Sequence, residues 1–421
     1  MGTIYVKTLK DRIRHGGINL HLPKGETHTL GTDRPMIDWY IREGGTLGRI
    51  LRNPELNLGE TYVNGEWGVN QGQLSAFIGL LMRNVPQPDP GGARRYLDGL
   101  LHLLHTWNPI RRSYRNVAHH YDLDEWLFRQ FLDQDMQYSC AYFPEPDISL
   151  EEAQRAKCRH ILHKLQLQPG HRVLDIGCGW GGLALYLAER AGVQVTGLTL
   201  SKEQLRVAQQ RARERGLEGK VRFVLQDYRQ HEGTYDRIVS VGMFEHVGPP
   251  QHQRYFQQVR RLLAEHGVAV IHTIGRQQQN STTNPWIRRH IFPGGSIPAL
   301  SEISRALEST TLVTTDVEVL RLHYAYTLAA WQNRFQKARA RVAERLGERF
   351  CRMWEFYLAG CENAFRWRDL VVFQIQLAKQ HASVPITRSY LYAPNEPADT
   401  ASGSELPGYS TPSHPARRPH R

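Results

Sequence analysis

The run VLDIGCGWGG, residues 173–182, places a carboxylate, Asp175, at the end of a strand-like stretch and follows it with glycines at 177, 179, 181 and 182. Glycines at such a turn let the backbone pass close to a ligand, and the helix behind them turns unpaired N–H groups toward negative charge, a methionine carboxylate or a phosphate alike. A dinucleotide would use the turn equally well, and a tight turn that binds nothing is the plainer alternative. A dinucleotide site, however, wants an acidic residue for its ribose about 20 residues further on. The next strand ends instead as GLTLSKEQ, 197–204, with no carboxylate in register. Ser201 and Gln204 there also fit a helix capping box, in which the glutamine reaches back to its own cap. Asp227 and Tyr228, just past a third strand, stand where an adenine pocket presents a polar contact and a flat apolar face; an exposed loop is the other reading.

These groups need a scaffold, and from His171 onward the pattern supplies one. Short β-branched runs alternate with longer amphipathic stretches, which predicts a parallel sheet wound on both faces by helices. The strand candidates are HRVLDI, VQVTGLTL, VRFVLQ, YDRIVSVG, GVAVIHTI, TLVTTDVEVL and LVVFQIQLA; helices start near Gly182, Ser201 and Gln251, and Tyr324 to Gly360 reads as wholly helical. Seven strands with a late helical excursion suit a methyltransferase-type α/β sheet. Residues 1–95 mix short alternating stretches such as INLHL, 18–22, with Gly and Pro punctuation and a helix from Gln73, and read as a small α+β domain. QPDPGGARR, from Gln87, is a natural linker into a second domain, 96–392, that opens with helical patterns from Leu97 to about Leu132. Residues 393–421 are rich in Pro, Ser and Gly and read as a disordered tail.

Composition sets the outer bounds. The chain of 421 residues is too long for one ordinary core, and its apolar and charged fractions, 40% and 22%, are those of a globular protein. No apolar run reaches the roughly 20 residues that span a bilayer, and the N-terminus lacks a signal-peptide stretch, so the expected location is the cytosol. A net charge of +12 implies a polyanionic partner without separating nucleic acid from an anionic lipid surface. Five cysteines, with no CxxC pair, indicate neither a disulfide framework nor a zinc knuckle. The pairs His102 with His105 and His119 with His120 lack a Cys or carboxylate at metal-site spacing, so no metal is expected. Cys140 has no base near it in sequence, which favours a packing or backbone role over that of a nucleophile.

HHYDLDEWLFRQFLDQDMQYSCAYF (119–143), DIGCGWGG, GLTLSKEQ, GMFEHVG (242–248), HTIG (272–275), FPGG followed by IP (292–298), HYAYTLAAW (323–331) and GCENAFRWRD (360–369) occur in one order. This set resembles that of the cyclopropane fatty acid and mycolic acid cyclopropane synthases over about Asn116 to Ala378. LGETYVNGEW (58–67) is similar to the leading domain of the bacterial phospholipid enzymes. The resemblance implies a class I methyltransferase (Rossmann-like) fold with helical insertions, and an S-adenosylmethionine site lined by Tyr138, Ser139, Gly177, Gly179, Thr199, Leu200, Ser201, Gln204 and Tyr228; Asp175 and Asp227, read above from the turn and the third strand, are the further candidates for it. It also implies a bicarbonate ion held by Cys140, Glu245, His272, Ile274 and Tyr324. Arg229 and Asp227 depart from the small and acidic residues associated with the adenine loop.

By that resemblance the expected reaction is transfer of a methylene group to the cis double bond of an unsaturated phospholipid acyl chain. His272 and Tyr324 would donate to the anion, Glu245 would orient or relay, and backbone amides near Cys140 and Ile274 would complete the cradle; each residue alone also has an ordinary packing role. Tyr142, Phe143, Phe292, Trp331, Phe335 and Phe365 are candidates for an acyl channel or for plain core. Methyl or methylene branching of the same chains shares the first step, and N-methylation of an amine uses a similar scaffold. The expected partners are unsaturated phospholipids at the inner face of the membrane, held peripherally by the basic surface and weakened by salt, with no nucleic acid. A homodimer is left open.

Overall fold

The computed structural model describes residues 2–85, 125–278 and 284–392. The linker from Gln87, the four histidines at 102, 105, 119 and 120, the helical pattern before residue 125 and the tail from 393 lie outside them.

The N-terminal part runs α1 (Gly2–Lys10), β1 (Gly17–His21), β2 (Thr27–Leu30), β3 (Met36–Ile41), α2 (Thr46–Arg52), α3 (Pro54–Val63), β4 (Trp67–Val69) and α4 (Leu74–Asn84). Its four strands lie in the order β2-β1-β3-β4. The strand alternation sorts the two faces. Ile18, Leu20, Ile37 and Trp39 bury against Trp67 and Phe77, while Asn19 and His21 both hydrogen-bond to Asp38 on the other side.

The larger part builds a seven-stranded sheet from β5 (Arg172–Ile176), β6 (Gln194–Thr199), β7 (Val221–Leu225), β8 (Tyr235–Val241), β9 (Leu263–Arg276), β10 (Val313–Leu320) and β11 (Leu370–Ala378). They are the seven stretches marked by the sequence. Around them lie α5 (Glu125–Arg129), α6 (Leu150–Lys164), α7 (Gly182–Ala191), α8 (Lys202–Glu214), α9 (His252–Leu262), α10 (Pro285–His290), α11 (Leu300–Glu308), α12 (His323–Leu346) and α13 (Glu348–Trp367). Helix α6 starts on a capping box, Ser149 with Glu152, before its apolar face meets the sheet. The strand order is β10-β11-β9-β8-β5-β6-β7. The chain steps outward from β5 to β7 and then resumes at β8 on the other side of β5. The crevice at the carboxyl ends of β5 and β8 is therefore where such a sheet binds its ligand.

Two features differ from the sequence reading. The long helical run is divided at Gly347, whose φ of 85° lies in the left-handed region, and α13 folds back along α12 so that Tyr324 packs on Phe365 at 4.9 Å. The sheet is also not wholly parallel, because β11 runs antiparallel to both β9 and β10. The first feature causes the second: a helical hairpin returns the chain to the end of β10 from which it left, with Leu320 opposite Val372, and the next strand can only run back.

Candidate active site

An open-mouthed cavity of about 1270 Å³, its mouth included, occupies the crevice at the ends of β5 to β8. Gly177, Gly179 and Gly181 hold φ of 86°, 53° and 82°, so the turn into α7 depends on residues without a Cβ. At the end of β6, Thr199 Oγ1 donates to Gln204 Oε1 at 2.8 Å, Ser201 N donates to Thr199 Oγ1 at 3.2 Å, and Gln204 N donates to Ser201 Oγ at 3.2 Å. This is only half of a capping box. Ser201 caps α8, but the glutamine side chain turns to Thr199 and the cavity instead of back to its cap.

Ten of the residues expected around a cofactor line this cavity: Tyr138, Ser139, Asp175, Gly177, Gly179, Thr199, Leu200, Gln204, Asp227 and Tyr228. Ser201 is buried behind them as the cap. Asp227 is not a free polar contact, because Arg229 clasps both its oxygens, Nε to Oδ1 at 2.8 Å and Nη2 to Oδ2 at 2.6 Å. Asp175 is buried with Oδ2 unpartnered among the protein groups, and burial pushes its carboxyl up to about 7, with Lys157 nearby drawing it partly back.

The five residues expected around the anion come from four separate segments, and three of them adjoin residues of the cavity wall. Cys140 follows Ser139, Glu245 precedes His246, and His272 pairs with Val241 and accepts from Gly242 N at 2.9 Å; Ser139, Val241, Gly242 and His246 all line the cavity. Glu245 Oε1 accepts the Ile274 amide at 2.6 Å while Oε2 is buried without a protein partner, and burial raises its carboxyl to about 7. His272 Nδ1 lies 3.1 Å from Gln374 Nε2, and burial drives its pKa well down, so the ring is neutral. Tyr324 packs edge-on to Trp331 at 5.9 Å; burial first, then the nearby Tyr138, Cys140, Cys361 and Glu245, keep its hydroxyl protonated. The buried Cys140 thiol is pushed up in the same way and donates to Ala141 O at 3.3 Å, which suits packing and not attack.

Two expectations change here. The Ile274 amide does not await an anion, because Glu245 already holds it. Of the aromatic candidates, Trp331, Phe335 and Phe365 are core. Tyr142 is sandwiched between His160 at 4.4 Å and His323 at 4.8 Å. Gln137, Trp180, Met243, His246 and Pro293 also line the cavity, beyond the residues that the sequence marks for it. Lys157 lies beneath the wall, and a lysine between Ala153 and Ile161 on the apolar face of α6 is an anomaly visible in the sequence.

The sheet order and the cavity at its switch point define a class I methyltransferase fold. The solved structure of mycolic acid cyclopropane synthase CmaA1, complexed with SAH and CTAB, superposes with a TM-score of 0.60 at 36% identity, covering 63% of this chain and 97% of that one. The family model described as mycolic acid cyclopropane synthetase matches residues 109–375, and the chain belongs to that family of S-adenosylmethionine-dependent enzymes. It is 41% identical over 343 residues to the cyclopropane-fatty-acyl-phospholipid synthase of Escherichia coli strain K12, which covers 81% of this chain and 88% of the relative. It is also 38% identical over 386 residues to the tuberculostearic acid methyltransferase UfaA1 of Mycobacterium tuberculosis, covering 86% and 88%.

Proposed function

We propose that this protein transfers a methylene group from S-adenosylmethionine to the cis double bond of an unsaturated phospholipid acyl chain, closing a cyclopropane ring, with a bicarbonate ion as proton acceptor. The observation that carries the reading is the burial of Glu245, His272 and Tyr324, with Glu245 close enough to Tyr324 to be felt by its hydroxyl and Glu245 next in sequence to His246 of the cavity wall. The similarity to the phospholipid synthase of E. coli supports the substrate class.

S-adenosylmethionine supplies a methyl group on a sulfonium. An alkene is a weak nucleophile, so the protein must hold the double bond close and in line and keep water out. Methyl addition leaves positive charge on the alkyl chain, and the ring of Tyr138, which lines the cavity, is suited to stabilise it. Ring closure then needs one proton removed from the new methyl group by a base that is not itself alkylated. The neutral His272 and Tyr324 present donors, and the orphaned Glu245 Oε2 is an acceptor. That set complements an ion with two acceptor oxygens and one hydroxyl, which is bicarbonate.

Among the described residues no helix is long and apolar enough to cross a membrane. In this reading the net charge of +12 holds the protein peripherally on anionic phospholipid at the cytosolic face. The test is incubation with S-adenosylmethionine and vesicles of cis-unsaturated phospholipid, followed by gas chromatography and mass spectrometry of the acyl esters. A gain of one CH2 with the retention of a cyclopropane ester is expected; a branched ester of equal mass that keeps one double bond moves the activity to methyl or methylene branching, and no gain removes the reading. Turnover should fall in carbonate-free buffer and return with added bicarbonate.

A further inference from the structure

Lysine is among the residues least often fully buried, and when buried it is normally paired with a carboxylate. Lys157 of α6 is 0% exposed and lacks such a pair. Its Nζ donates to Gln137 Oε1 and to Ser139 Oγ, each at 2.8 Å. Among the described residues no carboxylate oxygen lies within ion-pair distance of it; Asp133 and Asp175 are near enough only to be felt through space. The Lys157 ammonium, its pKa lowered by burial, therefore sits beneath the cavity wall, attached to two residues that form that wall.

The consequence is directional. With Oε1 of Gln137 fixed by the ammonium, the amide Nε2 faces away from it. That atom is buried, has no protein partner, and lies 2.7 Å from where a Cβ on Gly182 would stand. Gly182 opens α7, and its N-cap, Gly181, supplies no side-chain cap. An unpartnered amide donor, the N-terminus of a ten-residue helix and a buried cation thus meet at one end of the cavity. Asp175 Oδ2, a buried acceptor without a protein partner, lines the same cavity. Donors with a positive charge and one carboxylate acceptor together match a zwitterionic amino acid.

We propose that Lys157 is a positioning residue for the amino-acid end of the cofactor, locking Gln137 and Ser139 so that the Gln137 amide donates to the cofactor carboxylate. The proposal rests on the cavity being the S-adenosylmethionine site. The nucleoside end, beyond Thr199 and Tyr228, does not feel it.

The experiment is calorimetric titration of the full chain with two ligands, S-adenosylhomocysteine and 5′-methylthioadenosine; the second keeps the nucleoside and sulfur but has no carboxylate or amine. Lys157→Met keeps the volume and removes the charge. It should weaken S-adenosylhomocysteine about 10- to 100-fold, the range of a charge-assisted hydrogen bond, and leave methylthioadenosine unchanged. Gln137→Leu should reproduce that pattern, and the double variant should be no worse than the weaker single one. Equal losses for both ligands would make Lys157 a support of the fold, and no loss for either would make it idle; either result overturns the proposal. If the unaltered protein binds neither ligand, the assignment of the cavity itself fails, and the proposal falls with it.

Discussion

Nε2 of Gln374 lies 3.1 Å from Nδ1 of His272, across the β9–β11 pair in which the two residues stand directly opposite each other. The amide nitrogen donates and Nδ1 accepts, so the single imidazole proton is kept on Nε2, the nitrogen left to act as a donor. Gln374→Leu removes this control. Turnover should drop about tenfold, the order of one buried hydrogen bond, with S-adenosylhomocysteine affinity unchanged by calorimetry. A loss confined to affinity would show that His272 serves the cofactor and not the reaction.

Glu245 is the acceptor of the same group of residues. Glu245→Gln retains the shape and the contact to the Ile274 amide but removes the charge. We expect kcat to fall by at least about 100-fold, as for groups that act at the reacting centre, with cofactor binding nearly intact. Because burial raises this carboxyl to about 7, its ionised form accumulates only as the pH rises through that value. Activity should accordingly climb from pH 6 to pH 8 on vesicles of fixed composition, and a flat profile would contradict an ionised Glu245.

Asp175 links pH to stability. Its folded pKa, raised to about 7 by burial, lies above the ordinary carboxylate value that it recovers on unfolding. Between those two values the folded state holds more protons than the unfolded one, so stability falls as pH rises from about 4 to about 7 and levels off above. Asp175→Asn should flatten this fall in melting temperature by roughly 5 °C. It should not abolish it, since Glu245 contributes in the same sense. A variant with the unchanged slope would show that Asp175 remains ionised throughout.

Two glycine substitutions make a matched pair. A Cβ on Gly182 would overlap the Asp135 carbonyl oxygen, which is backbone and cannot rotate aside, whereas one on Gly360 of α13 meets nothing. Gly182→Ala should displace the 133–140 loop and weaken S-adenosylhomocysteine by more than about tenfold, well beyond the effect of one lost hydrogen bond. Gly360→Ala should leave binding alone and stabilise by up to about 1 kcal/mol through helix propensity. Thermal melts and titrations of the two variants separate these outcomes.

Much of this molecule is written locally. The glycine turn after Asp175, the cap at Ser201 and all seven strands follow from interactions within a few residues, between neighbouring dihedrals, helix ends and alternating apolar positions. Such signals survive in a linear chain. The motifs containing Cys140, Glu245, His272 and Tyr324 were equally visible, but only by resemblance, because each side chain alone has an ordinary role.

Tertiary packing decided the rest. The capture of the Ile274 amide by Glu245 depends on the approach of a distant loop to β9, which no spacing encodes. The antiparallel course of β11 follows from where the α12–α13 hairpin returns the chain. Lys157 is the sharpest case. In sequence it interrupts the apolar face of a helix, and only the loop packed over that face turns the interruption into a buried charge beneath the cavity. The sequence by itself determined the elements and the inventory of reactive groups, because those depend on near neighbours. Which atoms are dry, partnered or orphaned was decided by contacts between segments remote along the chain, and it is those contacts that set charge and proton position.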